Sequence, residues 1–260
     1  MIKPLIMGIV NVTPDSFSDG GKFFDPEKAI QHGFKLLEEG ADILDIGGES
    51  TRPGAIPVSI DEEIRRVVPV ITALAKTNKL VSVDTRHGQV MQAAIEAGAG
   101  FLNDIHALQE KNSLEIAAQS KAFVCLMHMK GTPQTMQDNP VYENVVDEVF
   151  DFLKSRIQAC ADAGIEKNKI YADVGIGFGK TLEHNLELLR NLDQFHKLGV
   201  KILLGTSRKK FIENIAGPSE NRLGGSLATA LWGYQKGAHI IRVHDVAETR
   251  QVIQVWSVLS

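Results

Sequence analysis

The sequence predicts an α/β fold: a single (β/α)8 TIM barrel spanning residues 1–260, with long strand-to-helix loops 1 and 2 over its C-terminal face. Three observations predict it. Eight short apolar runs each stop at a polar residue ill suited to a core. Segments of helical period separate those runs, the alternation of a closed parallel barrel. The connections are also unequal, short and glycine-rich from helix to strand but long from the first two strands to their helices. Strand C-termini in such a barrel open on one face, where the active site sits. The eight polar ends are therefore expected to be neighbours in space.

Taken in order, LIMGIV ends at Asn11 and leads into a loop running to Asp25. Asp25-Pro26 starts a helix, with an N-cap and a proline at the first helical position. Its apolar face is Ala29, Ile30, Gly33, Phe34 and Leu37, and Gly40 ends it. DILDIGG ends at Glu49, and a second long loop runs from Gly47 to Ser59. Ser59-Ile60-Asp61-Glu62 has capping-box spacing, and Ile64, Val67, Val68, Ile71 and Leu74 follow as a core stripe. KLVSV ends at Asp84 before a helix from Gly88 to Ala97. GFL ends at Asn103 before a helix from Ser113 to Gln119. AFVCLM ends at His128 before a helix from Tyr142 to Ala163. IYA ends at Asp173 before a helix from His184 to Asn191. VKILLG ends at Thr206 and Ser207, with helices from Arg208 to Ile215 and Asn221 to Lys236. HIIRV ends at His244, and a last helix runs from Val246 to Val258.

Compact α/β units connect strand to helix with about 2–6 residues, and unstructured loops beyond about 12 are commonly functional. Loops 1 and 2 are thus expected to serve the site. Composition narrows the function further. The chain has 260 residues, 43% hydrophobic and 23% charged, enough for a full barrel core. A net charge of −4 gives no electrostatic footprint for nucleic acid. No apolar stretch approaches the roughly 20 residues of a membrane span, and MIKPLIMGIV lacks a signal-peptide cleavage site. Cys125 and Cys160 are far apart and outside metal-ligand spacing, which suits a reducing cytoplasm. Cys125 is expected to be a buried packing residue.

Loop 1 reads NVTPDSFSDGG, with Phe17 at the centre of otherwise small and polar residues. This motif begins a series: MGIVNVTPDSFSDGG from Met7, GGESTRPG from Gly47, SVDT at Ser82, NDI at Asn103, MHMKGTPQTMQ from Met127, GFGK at Gly177, SRK at Ser207 and RVHD at Arg242. In content and order the series resembles the dihydropteroate synthase family of pterin-binding enzymes, over nearly the whole chain. That resemblance implies transfer of the dihydropterinylmethyl group of 6-hydroxymethyl-7,8-dihydropterin diphosphate to p-aminobenzoate, with release of pyrophosphate. It implies Mg2+ as cofactor and sulfonamides as p-aminobenzoate mimics. It also implies a homodimer, for which the helix bearing Trp232 and Tyr234, or the last helix with Trp256, could supply apolar contact.

The residues make physical sense of this chemistry. A pterin edge is rich in N–H donors, and an ionised carboxylate accepts two at once in charge-assisted bonds. Asp84 and Asp173 are suitable acceptors. Asn103 can donate and accept, and Lys209 can donate to a ring carbonyl. By similarity these four read the pterin edge, with Arg242 stacked on the ring and Phe178 beside it. Arg242 and His244 lie two apart and share a face; with Arg52 and the N-terminus of the last helix they suit a diphosphate. Asn11 holds Mg2+ in the family and joins the diphosphate set. The p-aminobenzoate pocket falls by resemblance to Thr51, Arg52, Pro53, Phe178, Ser207 and Lys209. Ser207 is expected to open a helix with free N–H groups. Phe17 and Asp19 of loop 1 join Asp84, Asp173, Lys209 and Arg242 in the catalytic set. From the residues alone, Asp84 in DTRHG also reads as a helix cap, Asn11 as a turn residue and His244 as a buried histidine. His128, Met127 and Met129 receive no catalytic role.

The family pattern is broken in two places. Val174 stands where proline usually follows the strand-six aspartate, and His106-Ala107 replaces a small-residue pair, read as a solvent-facing variation. A pterin-dependent methyltransferase would share the edge contacts, but it has no diphosphate to hold. A catalytically silent pterin-binding protein would be marked by loss of Asn11, Arg52, Lys209 or Arg242, and all four are present. A generic phosphate-sugar barrel enzyme is more distant.

Overall fold

In the computed structural model, residues 3–13, 25–50, 54–55, 57–219 and 221–259 are described. Eight strands close into a parallel barrel in sequence order. They are β1 (Leu5–Asn11), β2 (Ile43–Gly47), β3 (Leu80–Asp84), β4 (Phe101–Asp104), β5 (Phe123–Met127), β6 (Ile170–Asp173), β7 (Lys201–Gly205) and β8 (Ile240–Val243). β8 returns to β1 with Met7 beside Arg242. The surrounding helices are α1 (Pro26–Glu38), α2 (Ile60–Leu74), α3 (Gly88–Glu96), α4 (Ser113–Ser120), α5 (Val145–Asp162), α6 (Leu182–Arg190), α7 (Lys210–Ala216), α8 (Leu223–Gln235) and α9 (Val246–Leu259).

The two-residue period of a strand decides what faces the barrel axis. Met7, Ile43, Phe101, Cys125, Tyr171, Leu203 and Ile240 form one buried cluster inside the barrel. A second, larger cluster fills the layer between strands and helices. Moving from the inner cluster towards the strand C-termini in steps of two reaches Asn11, Asp45, Asp84, Asn103, Asp173 and Arg242. The barrel thus has an apolar floor and a polar mouth made by the same face of the same strands. Cys125 is fully buried on that floor, as expected.

Several local expectations need correction. Ser59 Oγ accepts from the Glu62 N–H at 3.3 Å, but the Glu62 carboxylate pairs with Arg65 and Arg66, so only half the box forms. A reciprocal box exists instead between Thr181 and His184, starting α6. The helix after β7 begins at Lys210, not at Arg208, because Arg208 has a positive φ of 57°. His106-Ala107 does not face solvent: Ala107 is fully buried, and its carbonyl accepts from Arg156 Nε of α5 at 2.8 Å. Tyr234 is only 3% exposed and cannot form an outer contact, whereas Trp232 is 39% exposed.

Candidate active site

The mouth is organised around Arg242. Its Nε donates to Asp45 Oδ2 at 2.5 Å and its Nη2 to Asp84 Oδ2 at 2.6 Å. Asn103 Nδ2 donates to the same Asp45 oxygen at 3.0 Å. Asn103 therefore spends one of its two N–H donors within the protein and offers its carbonyl oxygen to a ligand. Asp45 is completely buried, and its Oδ1 has no hydrogen-bond partner among the described residues. Sequence reasoning missed Asp45. Its signal was a charged residue at the inward register inside DILDIGG, two residues beyond the floor residue Ile43.

Asp173 ends β6 and is 5% exposed. Its Oδ1 accepts the Gly175 N–H at 2.8 Å, which closes the turn after the strand. That turn needs glycine: Gly175 has φ +69°, and a Cβ there would lie 1.9 Å from the His128 carbonyl oxygen. Asp173 Oδ2 faces the mouth, 4.0 Å from where a Gly205 Cβ would stand. A Cβ at Gly205 would reach Arg242 and one at Gly47 would reach Asp84 only at ordinary contact distances, 3.8 and 3.5 Å.

Lys209 lies over the Phe178 ring, its Nζ 4.7 Å from the centroid, and donates to the Ile176 carbonyl. Ser207 Oγ and His244 Nδ1 are 3.0 Å apart, and Ser207 Oγ also accepts the His244 N–H. The expected free N–H groups beyond Ser207 are largely taken, since Arg208 donates to Ser226 and Lys209 to Thr206. His128, outside the mouth cluster, is buried against Lys180, whose Nζ lies 2.9 Å from His128 Nδ1. Asp84 does not cap α3, whose N-cap residue is His87, with no side-chain cap bond. Asn11 ends β1 beside Gly47, half-buried. Phe17, Asp19, Thr51, Arg52 and Pro53 lie outside the described residues.

Electrostatics follow from this crowding. Burial pushes Asp84 up to about 7 against the pull of Arg242, with Asp45 and Glu49 adding to the rise. Burial also raises Asp173, opposed by Lys209. Lys209 falls to about 8 through burial, opposed by Asp173. Burial works against the Arg242 charge too, but Asp45 and Asp84 hold it protonated. Three carboxylates thus face two cations, Lys209 and Arg242, while burial lowers the neighbouring Lys180 well below the lysine range. When all three acids are ionised the mouth carries one surplus negative charge.

A parallel barrel whose mouth presents carboxylate, amide and cationic groups from seven strand ends or their loops defines a barrel enzyme for a small polar ligand. Residues 7–244 match the family described as pterin binding enzyme. The chain is 51% identical to the dihydropteroate synthase of Haemophilus influenzae, over 97% of this chain and 93% of that protein. It superposes on Xanthomonas albilineans dihydropteroate synthase with 4-aminobenzoic acid at a TM-score of 0.93, with 49% identity, covering 99% of this chain and 93% of that one. The same enzyme in complex with 7,8-dihydropteroate gives 0.90, with 46% identity and coverage of 99% and 94%. The chain belongs to the pterin binding enzyme family and, within it, to the dihydropteroate synthases.

Proposed function

We propose that this protein makes dihydropteroate by alkyl transfer. The bond from the exocyclic methylene carbon of the dihydropterin to its diphosphate oxygen breaks. A bond from that carbon to the amino nitrogen of p-aminobenzoate forms. Pyrophosphate leaves with the bonding pair, and the nitrogen loses one proton. The observation that carries this reading is the Asp45–Arg242–Asp84 and Asp45–Asn103 network, facing Asp173 and Lys209 across the mouth.

Ionisation before attack fits the mouth best. An electron-rich dihydropterin spreads positive charge into its ring as the diphosphate departs. Fixed carboxylates beside that ring stabilise the developing charge without reorganising, and the one surplus negative charge of the mouth with all three acids ionised matches a cation. Asp173 Oδ2 and the Asn103 carbonyl accept from the pterin edge, and Lys209 donates to its carbonyl. Asp45 and Asp84 hold Arg242 where it can flank both ring and leaving group. No strong base is needed, because the aniline nitrogen is neutral and already nucleophilic. Ser207 and His244, joined to each other and next to the N-terminus of α9, suit the anionic ends of the substrates.

Mg2+ fits Asn11 as a substrate-dependent ion. The Asn11 amide offers one hard, neutral oxygen on a half-buried strand end, and Mg2+ commonly keeps several waters while bound by one or two protein oxygens and substrate phosphates. When bound it neutralises charge on the departing diphosphate. We assign Phe17, Asp19, Thr51, Arg52 and Pro53 to loop contacts with p-aminobenzoate and diphosphate, on the strength of the motif match.

No helix among the described residues is long and apolar enough to cross a membrane. Two buried free cysteines suit a reducing cytoplasm. A homodimer suits the outer face of α9, where Val255, Val258 and Leu259 are exposed. The test of function is pyrophosphate release from the pterin diphosphate, with and without p-aminobenzoate and Mg2+. Release that needs both, with dihydropteroate formed in equal amount, is expected. Absence of dihydropteroate under all conditions would reject the reading.

A further inference from the structure

Beside the mouth lies a cluster that the transfer chemistry leaves unused. Glu49 follows β2, Glu63 sits in the first turn of α2, and His87 stands at the start of α3. One ligating atom from each lies within 4.8 Å of the other two. Three ligand atoms about 2.0–2.2 Å from a single ion lie roughly 3.3–3.7 Å from one another, so an inward shift of up to about 1 Å between pairs brings the three to one ion.

Glu63 is the informative member. It is 0% exposed, and neither carboxylate oxygen has a hydrogen-bond partner among the described residues. The neighbouring Thr85 hydroxyl favours its anion without a bond of ordinary geometry. Nor can the side chain easily withdraw: a Cβ on Gly48 would stand 3.0 Å from Glu63 Cγ, so the chain after β2 packs directly on it. A buried carboxylate with both oxygens unpaired costs several kcal/mol unless a proton or a cation satisfies it. Burial, with the charges of Glu49 and Asp84, pushes Glu63 up to about 7.

The surroundings favour a cation. Among the described residues, Glu49 accepts long bonds from the Val58 N–H at 3.3 Å and from Arg86 Nε at 3.4 Å. Burial and Arg86 lower His87, so its imidazole is neutral and has a lone pair to give. Arg86 also approaches Glu110 at 3.9 Å. Counting Glu49, Glu63 and Glu110 against Arg86 leaves two negative charges, which one dication cancels. One imidazole with two carboxylates suits zinc or manganese better than magnesium, which prefers oxygen ligands alone.

We propose that Glu49, Glu63 and His87 form a binding site for a divalent transition-metal ion of the zinc or manganese class, separate from Asn11. The ion ties the root of loop 2, just before Thr51, Arg52 and Pro53, to the first turns of α2 and α3.

The test titrates chelator-stripped full-length protein with ZnCl2, and separately with MnCl2, by calorimetry, with MgCl2 as control. Thermal unfolding is followed in parallel. Saturable one-to-one binding of zinc or manganese is expected, with a rise in the unfolding midpoint. Glu63→Gln and His87→Gln should each weaken affinity by at least about tenfold and remove the thermal shift. Should Glu63→Gln fail to fold, His87→Gln at the partly exposed helix start gives the same reading. Absence of saturable binding by either ion, or equal binding by wild type and by the variants that fold, would overturn the proposal.

Discussion

Replacing Asp173 with asparagine keeps the side chain's shape and removes its charge. Asp173 Oδ1 already accepts the Gly175 N–H at 2.8 Å. That turn cannot relax, because Gly175 is pressed against the His128 carbonyl. The asparagine must therefore give its oxygen to Gly175 and turn its amino group into the mouth. Two penalties result for a pterin whose edge presents N–H groups. A charge-assisted bond worth about 1.5–3 kcal/mol is lost, and a donor now meets a donor, costing about 1 kcal/mol more. The sum of about 2.5–4 kcal/mol corresponds to roughly 60- to 700-fold weaker pterin binding. Calorimetric titration with a non-reactive pterin would measure it, with thermal unfolding to verify the fold. Affinity within twofold of wild type in a folded variant would refute the assignment of Asp173 Oδ2 as the pterin acceptor.

Three further outcomes are expected. Asp45→Asn should cost about 3 kcal/mol of stability by leaving Arg242 under-compensated, and kcat/KM should fall at least about tenfold as Arg242 loses its anchor; chemical unfolding and initial rates measure both, and wild-type values in each would count against the network. Pterin affinity should rise as pH passes through about 7, where Asp84 ionises, and fall above about 8 as Lys209 loses its proton; a flat calorimetric profile from pH 5.5 to 9.5 would be inconsistent with both assignments. Glu63 moves from 4.5 to about 7 on folding. Its proton therefore favours the folded state fully below 4.5, and that contribution is lost as pH rises through 7. Metal-free Glu63→Gln should match wild type at pH 4 and be about 3 kcal/mol more stable at pH 8, measured by urea unfolding; equal stability at pH 8 would argue that the carboxylate is solvated.

Most of the barrel was legible because its signals are local. A run such as KLVSVD carries its own period and its own polar end, and the Asp25-Pro26 start of α1 is a matter of two residues. The mouth was partly legible for the same reason: polar strand ends announce themselves. What escaped depends on distant partners. Asp45 reads as an odd charge in an apolar strand until Arg242 arrives from β8. His106-Ala107 reads as an exposed turn, and only Arg156 from α5 explains its burial. The late start of α7 follows from backbone at Arg208 that is pinned by Ser226 on α8. Thr181 and His184 form a capping box with a histidine in place of the usual glutamate, so the spacing rule passed over it.

The reach of Arg242 across the barrel has a consequence for biosynthesis. Its two carboxylate partners precede it by 197 and 158 positions in the chain. A nascent polypeptide emerging from the ribosome exposes those acids long before their counter-charge has been translated. Substrate recognition therefore cannot be assembled piecemeal. It switches on with the final strand, and fragments ending before that strand should be inert however well their helices form.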